Sequence, residues 1–324
     1  MADEKPSRIP KKYRSLVLFL RDAGIALLLV LCVLGAMYAY TGLWPPLVVV
    51  ESDSMMQNDE NMSEIGAIDT GDLVLVKDVD DASDVETYME GYLSGFKTYG
   101  DFGDVVVYKK GGSDAYTPVI HRAMLYLEAN PDGTSYRSEA LRDAPEKWQA
   151  SPSTDTWDHL TGMITILDVG YRELNVPIDI GSIIQTFTRQ GQAVHSGFIT
   201  KGDHNSQIDQ IGGIGFRPVE IGWIVGKARG EIPWFGLLKL WFTDSLGSPA
   251  PENSVRNLWI ALALIVISPV LVDIALTYRE KRGIAKKREQ PAGLMEEGKS
   301  SATNEKKAEA EDPGPKAEEP PGGH

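Results

Sequence analysis

The stretch VVVESDSMMQ, residues 48–57, follows the first long apolar segment of the chain and carries two hydroxyl groups. Ser54 is followed directly by Met55, and Ser52 lies two residues before it. A serine in such a position is most often a turn residue. It is also a candidate nucleophile if the fold brings a base to it. Residues elsewhere in the chain decide between these two interpretations.

Composition limits the classes of function that the chain can have. The 324 residues carry a formal net charge of -14, which argues against a nucleic-acid-binding protein with a basic face. An acidic exterior is well solvated and is also typical of high-salt organisms such as haloarchaea. The single cysteine, Cys32, excludes an intramolecular disulfide and any Cys₄ or Cys₂His₂ metal site.

Two apolar segments predict transmembrane helices at residues 23–43 and 257–278. Residues 23–42 contain no charged side chain and are long enough to cross a hydrocarbon core of ~30 Å. A cleaved secretory signal peptide is the alternative for the first segment, although no A-x-A site follows it. The second segment contains Pro269 and Asp273, and its alternative is a buried core helix.

Basic residues flank the outer ends of both segments, which predicts the topology. The positive-inside rule puts both termini in the cytoplasm. We expect a cytoplasmic basic N-terminus at residues 1–22, an extracytoplasmic domain at 44–256 and a cytoplasmic region at 279–324. The chain is therefore expected to be a multi-pass protein of the cell membrane. Residues 289–324 have few large apolar side chains, and we expect them to be disordered. The flanking basic residues are Lys11, Lys12, Arg14, Arg279, Lys281, Arg282, Lys286, Lys287 and Arg288.

Short apolar runs between the two segments predict a mainly β domain. Glycine-rich turns, including Gly212–Gly213, separate the runs, which favours a folded sheet or barrel. Residues 79–102 are acidic and predict a short helix or a loop. Residues 129–158 are polar and contain three prolines, which predicts a surface insertion. The predicted strands are residues 72–79, 104–110, 117–128, 162–167, 197–203 and 220–230.

A serine-based hydrolytic site needs a nucleophile, a base and donors for the developing oxyanion. Ser54 is the candidate nucleophile, and His121 is the candidate base because an imidazole, with an ordinary pKa of about 6.5, accepts protons at neutral pH. An aspartate would orient that imidazole. Each residue also has a structural interpretation: His121 lies in an apolar run, and Asp203 follows a glycine in a predicted turn. A metal site built from His121, Asp203, His204 and Asp209 lacks any recognised ligand spacing.

Five short motifs in this order resemble those of type I signal peptidases. They begin with Ser52-Asp53-Ser54-Met55, and the others are GDLVLV (71–76), VIHRAM (119–124), TKGDHNSQID (200–209) and IVGKARGEIPWFG (224–236). Histidine at position 121, where the bacterial branch has lysine, resembles the archaeal and endoplasmic-reticulum branch. Gln57 stands where the family usually has proline, and His204 replaces the first Asn of a Gly-Asp-Asn-Asn motif. Residues 129–195 fall outside the resemblance, which implies an insertion at about these residues.

The resemblance implies a role for each candidate residue. Ser54 would be the nucleophile, His121 the general base and Asp209 the acid that orients it. Asp203 would have a supporting role, although the residues themselves do not separate the two acids. The backbone N–H of Ser54 and the hydroxyl of Ser52 would hold the oxyanion. No cofactor is expected.

The resemblance further implies a signal-peptidase-like fold and a membrane-bound serine endopeptidase that cleaves signal peptides from secreted preproteins. The expected partners are those preproteins, the lipid bilayer and the secretion translocon. One rival is a catalytically silent or differently specific membrane-anchored relative, and another is a ligand-binding extracellular β domain. The apolar segment 232–242 is expected either in the core or resting at the membrane interface.

Overall fold

The computed structural model describes residues 11–151, 153–211 and 215–308, in two compact units that meet in sequence after Leu258. Antiparallel pairing joins the strands throughout the described part of the chain. The elements in chain order are α1 (Lys11–Thr41), β1 (Leu47–Val49), β2 (Leu73–Lys77), α2 (Tyr88–Ser94), β3 (Lys97–Thr98), β4 (Asp101–Phe102), β5 (Val105–Tyr108), β6 (Val119–Ala129), β7 (Tyr136–Arg137), α3 (Glu139–Asp143), β8 (Trp148–Ser151), β9 (Met163–Val169), β10 (Leu174–Asp179), α4 (Ile180–Arg189), β11 (Gly197–Lys201), β12 (Ile224–Ile232), α5 (Gly236–Thr243) and α6 (Glu252–Ala308).

The largest sheet has seven strands, and six of them run in the order β1-β2-β12-β5-β6-β11. β7 pairs with the far end of β6. β1 and β11 are the two ends of the path, so the described residues form an open sheet rather than a closed barrel. Each of the six predicted strand segments contains a strand, because β-branched runs between turn residues favour extended backbone.

The prediction that residues 129–158 lie on the surface is wrong. This region contains β7, α3 and β8, and the side chains of Tyr136 and Leu141 are fully buried. β8 pairs with β9, and β9 pairs with β10, in a separate three-stranded sheet. Apolar side chains from this sheet pack with α4 and with Met124, Leu125 and Leu127 of β6 in one hydrophobic cluster. Pro131 and Pro145 lie outside β7, α3 and β8, whereas the charged residues of β7 and α3 are accommodated within them.

The acidic stretch 79–102 contains local helix and a hairpin, as the sequence allowed. α2 begins after Thr87, whose side chain accepts from the backbone N–H of Glu90, while the Glu90 carboxylate accepts from the Thr87 N–H. This reciprocal capping satisfies two donors at the start of the helix. β3 and β4 then form a short hairpin that precedes β5 in the chain.

Two helices are long and apolar enough to cross a membrane, over Leu16–Thr41 and Glu252–Arg282. The predicted spans, 23–43 and 257–278, lie largely within them. α1 and α6 comprise 31 and 57 residues, more than all the strands together. The expectation of a mainly β chain is therefore not confirmed; the chain combines antiparallel sheets with two long helices.

Residues 289–324 are predicted to be disordered, but residues 289–308 are helical. α6 continues as far as Ala308. Ala, Glu and Lys are abundant in this stretch and have high helix propensity, which offsets the lack of apolar side chains to pack. Residues 309–324 lie outside the described residues, as do residues 1–10 and the predicted Gly212–Gly213 turn.

Candidate active site

Ser54 lies in the turn that follows β1. Met55 and Met56 are each 1% exposed, and Met55 packs among Val50, Ile68 and other residues beneath the sheet. The N–H of Met56 bonds to the carbonyl of Asp53, which closes the turn around Ser54. Burial of the two methionines thus anchors the turn while Ser54 remains half-buried.

His121 lies in β6, where it is paired with Val106 of β5 and is 3% exposed. Its Nε2 is 2.9 Å from the Oγ of Ser54. Successive side chains of a strand point to opposite faces, so the next residue, Arg122, is directed away from Ser54. A central strand of the sheet therefore holds the imidazole rigidly against the serine hydroxyl.

Asp209 begins a short 3₁₀ turn, Asp209–Ile211, that packs on β11. Its Oδ2 is 2.6 Å from Nδ1 of His121. The same oxygen accepts hydrogen bonds from the hydroxyls of Tyr108, at 2.8 Å, and Thr200, at 2.7 Å. Burial and the adjacent Asp209 carboxylate raise the pKa of Tyr108, so its hydroxyl remains a donor. These donors satisfy the buried Oδ2 of Asp209 with hydrogen bonds.

Gly202 is required by the close approach of the chain segments at this site. A Cβ on Gly202 would lie 2.5 Å from the Ser54 carbonyl oxygen and 2.9 Å from Nε2 of His121. The N–H of His204 also bonds to the Ser54 carbonyl, at 2.9 Å. The residues 202–204 thus pack directly against the turn that carries Ser54.

Asp203 does not contact His121. It forms a buried bidentate ion pair with Arg122, with Nε–Oδ1 at 2.9 Å and Nη2–Oδ2 at 2.6 Å. Gln57 donates a further hydrogen bond to Asp203 Oδ2, at 2.8 Å. Burial alone would raise the pKa of Asp203, but the charge and hydrogen bonds of Arg122 outweigh it and hold that pKa below its usual range. Asp203 therefore supports the site by fixing Arg122 and Gln57.

Arg122 also organises the hairpin beside the site. Its Nη1 donates to four carbonyl groups of residues 98–103, at 3.0–3.3 Å. The guanidinium is fully buried, and its donors are shared between one carboxylate and this ring of carbonyls. Such an arrangement satisfies the five N–H donors of an arginine that is isolated from water.

Ser52 lies beside the candidate nucleophile, with its Oγ 3.2 Å from the Oγ of Ser54. The next residue, Asp53, accepts a hydrogen bond from Ser248, which ties this segment to the chain beyond α5. Lys201 follows Thr200 in β11 and is buried, with its Nζ donating to the carbonyls of Gly202 and Asp203. Burial lowers the pKa of Lys201.

The structure brings together Ser54, His121, Asp209 and Ser52, whereas the side chain of Asp203 binds Arg122 and Gln57 instead. Sequence reasoning missed the contributions of Tyr108, Thr200 and Gln57. Tyr108 and Thr200 come from predicted strands, but strand register was needed to align them with Asp209. Gln57 was noticed only as a departure from a motif. Within the described residues, no group of three or more His, Cys, Asp or Glu side chains is arranged to hold a metal ion.

The arrangement is chemically suited to activate a hydroxyl group. A base in contact with the serine, itself oriented by a buried carboxylate, is the geometry of serine nucleophiles in hydrolases of several unrelated folds. No family model matches the chain, and no curated protein was found to be similar to it.

Proposed function

We propose that this protein is a membrane-bound serine endopeptidase, a signal peptidase I, that cleaves N-terminal signal peptides from secreted preproteins. The observation that supports it best is the unbroken hydrogen-bonded chain from Ser54 through His121 to Asp209. These residues come from a turn, a central strand and a 3₁₀ turn that are far apart in sequence. His121 Nε2 is 2.9 Å from Oγ of Ser54, and Nδ1 is 2.6 Å from Oδ2 of Asp209. A turn serine and a structural histidine in an apolar strand would not account for these two contacts.

In this mechanism Oγ of Ser54 attacks the carbonyl carbon of the scissile peptide, and Nε2 of His121 takes the hydroxyl proton. The imidazolium that forms is stabilised by Asp209. The tetrahedral intermediate collapses as His121 returns the proton to the leaving amine. Water, deprotonated by the same imidazole, then attacks the acyl group on Ser54. The imidazolium returns this proton to Oγ of Ser54 as the acyl–oxygen bond breaks, which releases the second product and regenerates the serine.

The oxyanion of this mechanism requires donors next to Ser54. Within the described residues, no hydrogen bond engages the backbone N–H of Ser54. The Ser52 hydroxyl is close enough to the nucleophile to be a second donor. A pair of preorganised donors of this kind is often the largest single contribution to acyl-transfer catalysis.

The membrane setting fits the proposed substrate. A signal peptide is cleaved where it leaves the bilayer, and Ser54 follows α1 after a short segment. The segment 232–242 divides between its two expected environments: Leu237 and Leu240 are buried, whereas Phe242 is 90% exposed. We propose that the exposed face of α5 rests in the membrane interface.

The basic flanks of the two apolar helices support the rest of the proposal. Both termini would be cytoplasmic, residues 44–256 extracytoplasmic, and the chain a multi-pass protein of the plasma membrane. Secreted preproteins and the bilayer would be its direct partners, with the secretion translocon delivering the substrate. The proposed fold class is a signal-peptidase-like folded sheet, supported by the positions of Ser54 after β1 and His121 on β6.

The test is cleavage of a preprotein by the purified full-length protein in lipid vesicles, with the new N-terminus mapped by mass spectrometry. The proposal predicts one cut, after a small residue at the end of the signal peptide. A matched preprotein with a bulky residue at that position should be cleaved much more slowly. Failure to cut, or cutting that does not depend on the signal peptide, would favour a silent or differently specific relative.

A further inference from the structure

The turn between β9 and β10, residues 170–173, reaches from the small sheet to the segment that follows Ser54. Tyr171 donates its hydroxyl hydrogen to Oδ1 of Asp59, at 3.0 Å. Arg172 donates to the same oxygen from Nε, at 2.8 Å, and also from Nη2. The hydrogen bonds of Arg172 hold the pKa of Asp59 below its usual range, so this carboxylate is charged at neutral pH.

The same two side chains contact the other segment that packs on Ser54. Arg172 donates from Nη1 to the carbonyl of His204, at 2.8 Å. The Tyr171 hydroxyl is 3.0 Å from Nδ1 of His204, and the two rings are stacked. His204 in turn donates its backbone N–H to the carbonyl of Ser54. A single residue, His204, therefore connects Arg172 to the candidate nucleophile.

The turn has a defined shape and is fixed to the body of the domain. Asp168 and Glu173 have φ angles of 50° and 51°, a region that non-glycine residues seldom adopt. The carbonyl of Asp168 accepts hydrogen bonds from Tyr88, at 3.4 Å, and Lys147, at 3.0 Å. A turn held in this way is a suitable support for the segments on either side of Ser54.

We infer that Tyr171 and Arg172 are positioning residues for the nucleophile, and this inference rests on the proposed function. They clamp the segment from Ser54 to Asp59 against the segment that contains His204, which fixes the carbonyl and the backbone direction of Ser54. The region outside the signal-peptidase resemblance would thereby take part in the reaction. Arg172 and Asp59 are 30% and 66% exposed, so their ion pair contributes little to global stability.

The test compares Arg172→Ala, Tyr171→Phe and Arg172→Lys with wild type, using full-length protein in vesicles. Small displacements of reacting groups lower rates by up to about 100-fold, so we expect kcat of Arg172→Ala to fall about tenfold or more with KM nearly unchanged. Tyr171→Phe should show a smaller loss, and Arg172→Lys should recover part of it. Arg137→Ala is the matched control, because Arg137 of β7 forms a similar half-exposed pair with Glu128 of β6.

Hydrogen exchange provides a readout that does not depend on activity. The amide of His204 should exchange faster in Arg172→Ala than in wild type or Arg137→Ala, with the unfolding temperature little changed. Unaltered kcat and exchange in Arg172→Ala would overturn the inference. A loss of activity explained by a matching loss of folded protein would also overturn it. If wild type does not cleave preproteins while the exchange result holds, the proposed function fails and the clamp between the two segments stands.

Discussion

The two acids near His121 have different partners, and this difference predicts different consequences of mutation. Asp209→Asn keeps the size of the side chain but replaces an acceptor by an amide that favours the wrong imidazole tautomer. The corresponding change in unrelated serine proteases lowers kcat by about 10⁴-fold, and we expect a loss of similar size here. Steady-state kinetics on preprotein cleavage would measure it. Near-normal kcat in Asp209→Asn would show that Asp209 does not orient the base.

Asp203→Ala should lower the free energy of unfolding. It would leave Arg122, which is fully buried, without its carboxylate, and breaking such a pair from one side costs about 3–5 kcal/mol. Denaturant unfolding of the detergent-solubilised protein would measure the change. The double variant Arg122→Met with Asp203→Ala should lose less than the single variant, because no uncompensated charge remains. An unchanged unfolding free energy in Asp203→Ala would contradict the buried ion pair.

The order of the motifs was the only feature of the sequence that predicted Ser54, His121 and Asp209 together as site residues. The residues themselves did not separate Asp203 from Asp209, since both follow β11 within a few positions. The structure distinguishes them by their partners on opposite faces of β6. Asp203 binds Arg122 on one face, and Asp209 binds His121 on the other. The contacts of Tyr108 and Thr200 depend on strand register, which a single sequence does not specify.

Among the elements, the Gly71–Asp72 turn links β2 to the start of α5. Asp72 Oδ1 accepts from the N–H of Trp234, at 2.8 Å, and its Oδ2 accepts from the N–H of Asp69, at 2.9 Å. A Cβ on Gly71 would lie 2.3 Å from a methyl carbon of Leu237, so glycine allows α5 to pack closely here. Burial raises the pKa of Asp72 to about 7 and that of Asp69 to about 6.

These raised pKa values predict how stability depends on pH. A carboxyl group whose folded-state pKa is raised binds more protons in the folded than in the unfolded protein, so its contribution to stability decreases as pH rises from about 4 to 7. Each such group contributes a slope of up to about 1.4 kcal/mol per pH unit. Unfolding free energies measured across this range should therefore fall less steeply with pH in Asp72→Asn than in wild type. Parallel pH profiles would contradict a raised pKa at Asp72.

Strand positions in the large sheet were predictable because Val- and Ile-rich runs alternate with glycine turns. The short strands within residues 129–158 were not, because they lie among polar residues and pair with partners that no local pattern identifies. Trp148 of β8, for example, lies opposite Ile166 of β9. Tyr136 and Leu141 are single apolar residues in a polar stretch, and their burial depends on packing against β6 and the small sheet.

At the scale of the whole molecule, the two apolar helices were predictable from composition, but their ends were not. α1 begins at Lys11, before its predicted span, but ends at Thr41, inside it, whereas α6 extends beyond both ends of its predicted span. The proposed topology of the chain rests on the basic residues at these flanks and on no contact within the fold. It therefore requires a test of its own.

Cysteine labelling would test that topology in intact cells. The only native cysteine is removed by Cys32→Ser, and single cysteines are then introduced by Ala115→Cys or Ala285→Cys. We expect a membrane-impermeant maleimide to label Ala115→Cys, which is at an exposed position between β5 and β6, without lysis. Ala285→Cys should be labelled only after lysis. The reverse pattern would contradict an extracytoplasmic domain.

The most direct test of the central claim is the rate of preprotein cleavage by membranes containing Ser54→Ala, with Ser113→Ala as the matched serine control. Loss of the nucleophile should lower the rate by at least about 10³-fold, and His121→Ala should lower it by a similar factor because the two residues act as a unit. Ser113→Ala should cleave at the wild-type rate. If Ser54→Ala cleaves as fast as wild type at equal protein levels, Ser54 is not the nucleophile and the proposed serine mechanism is wrong.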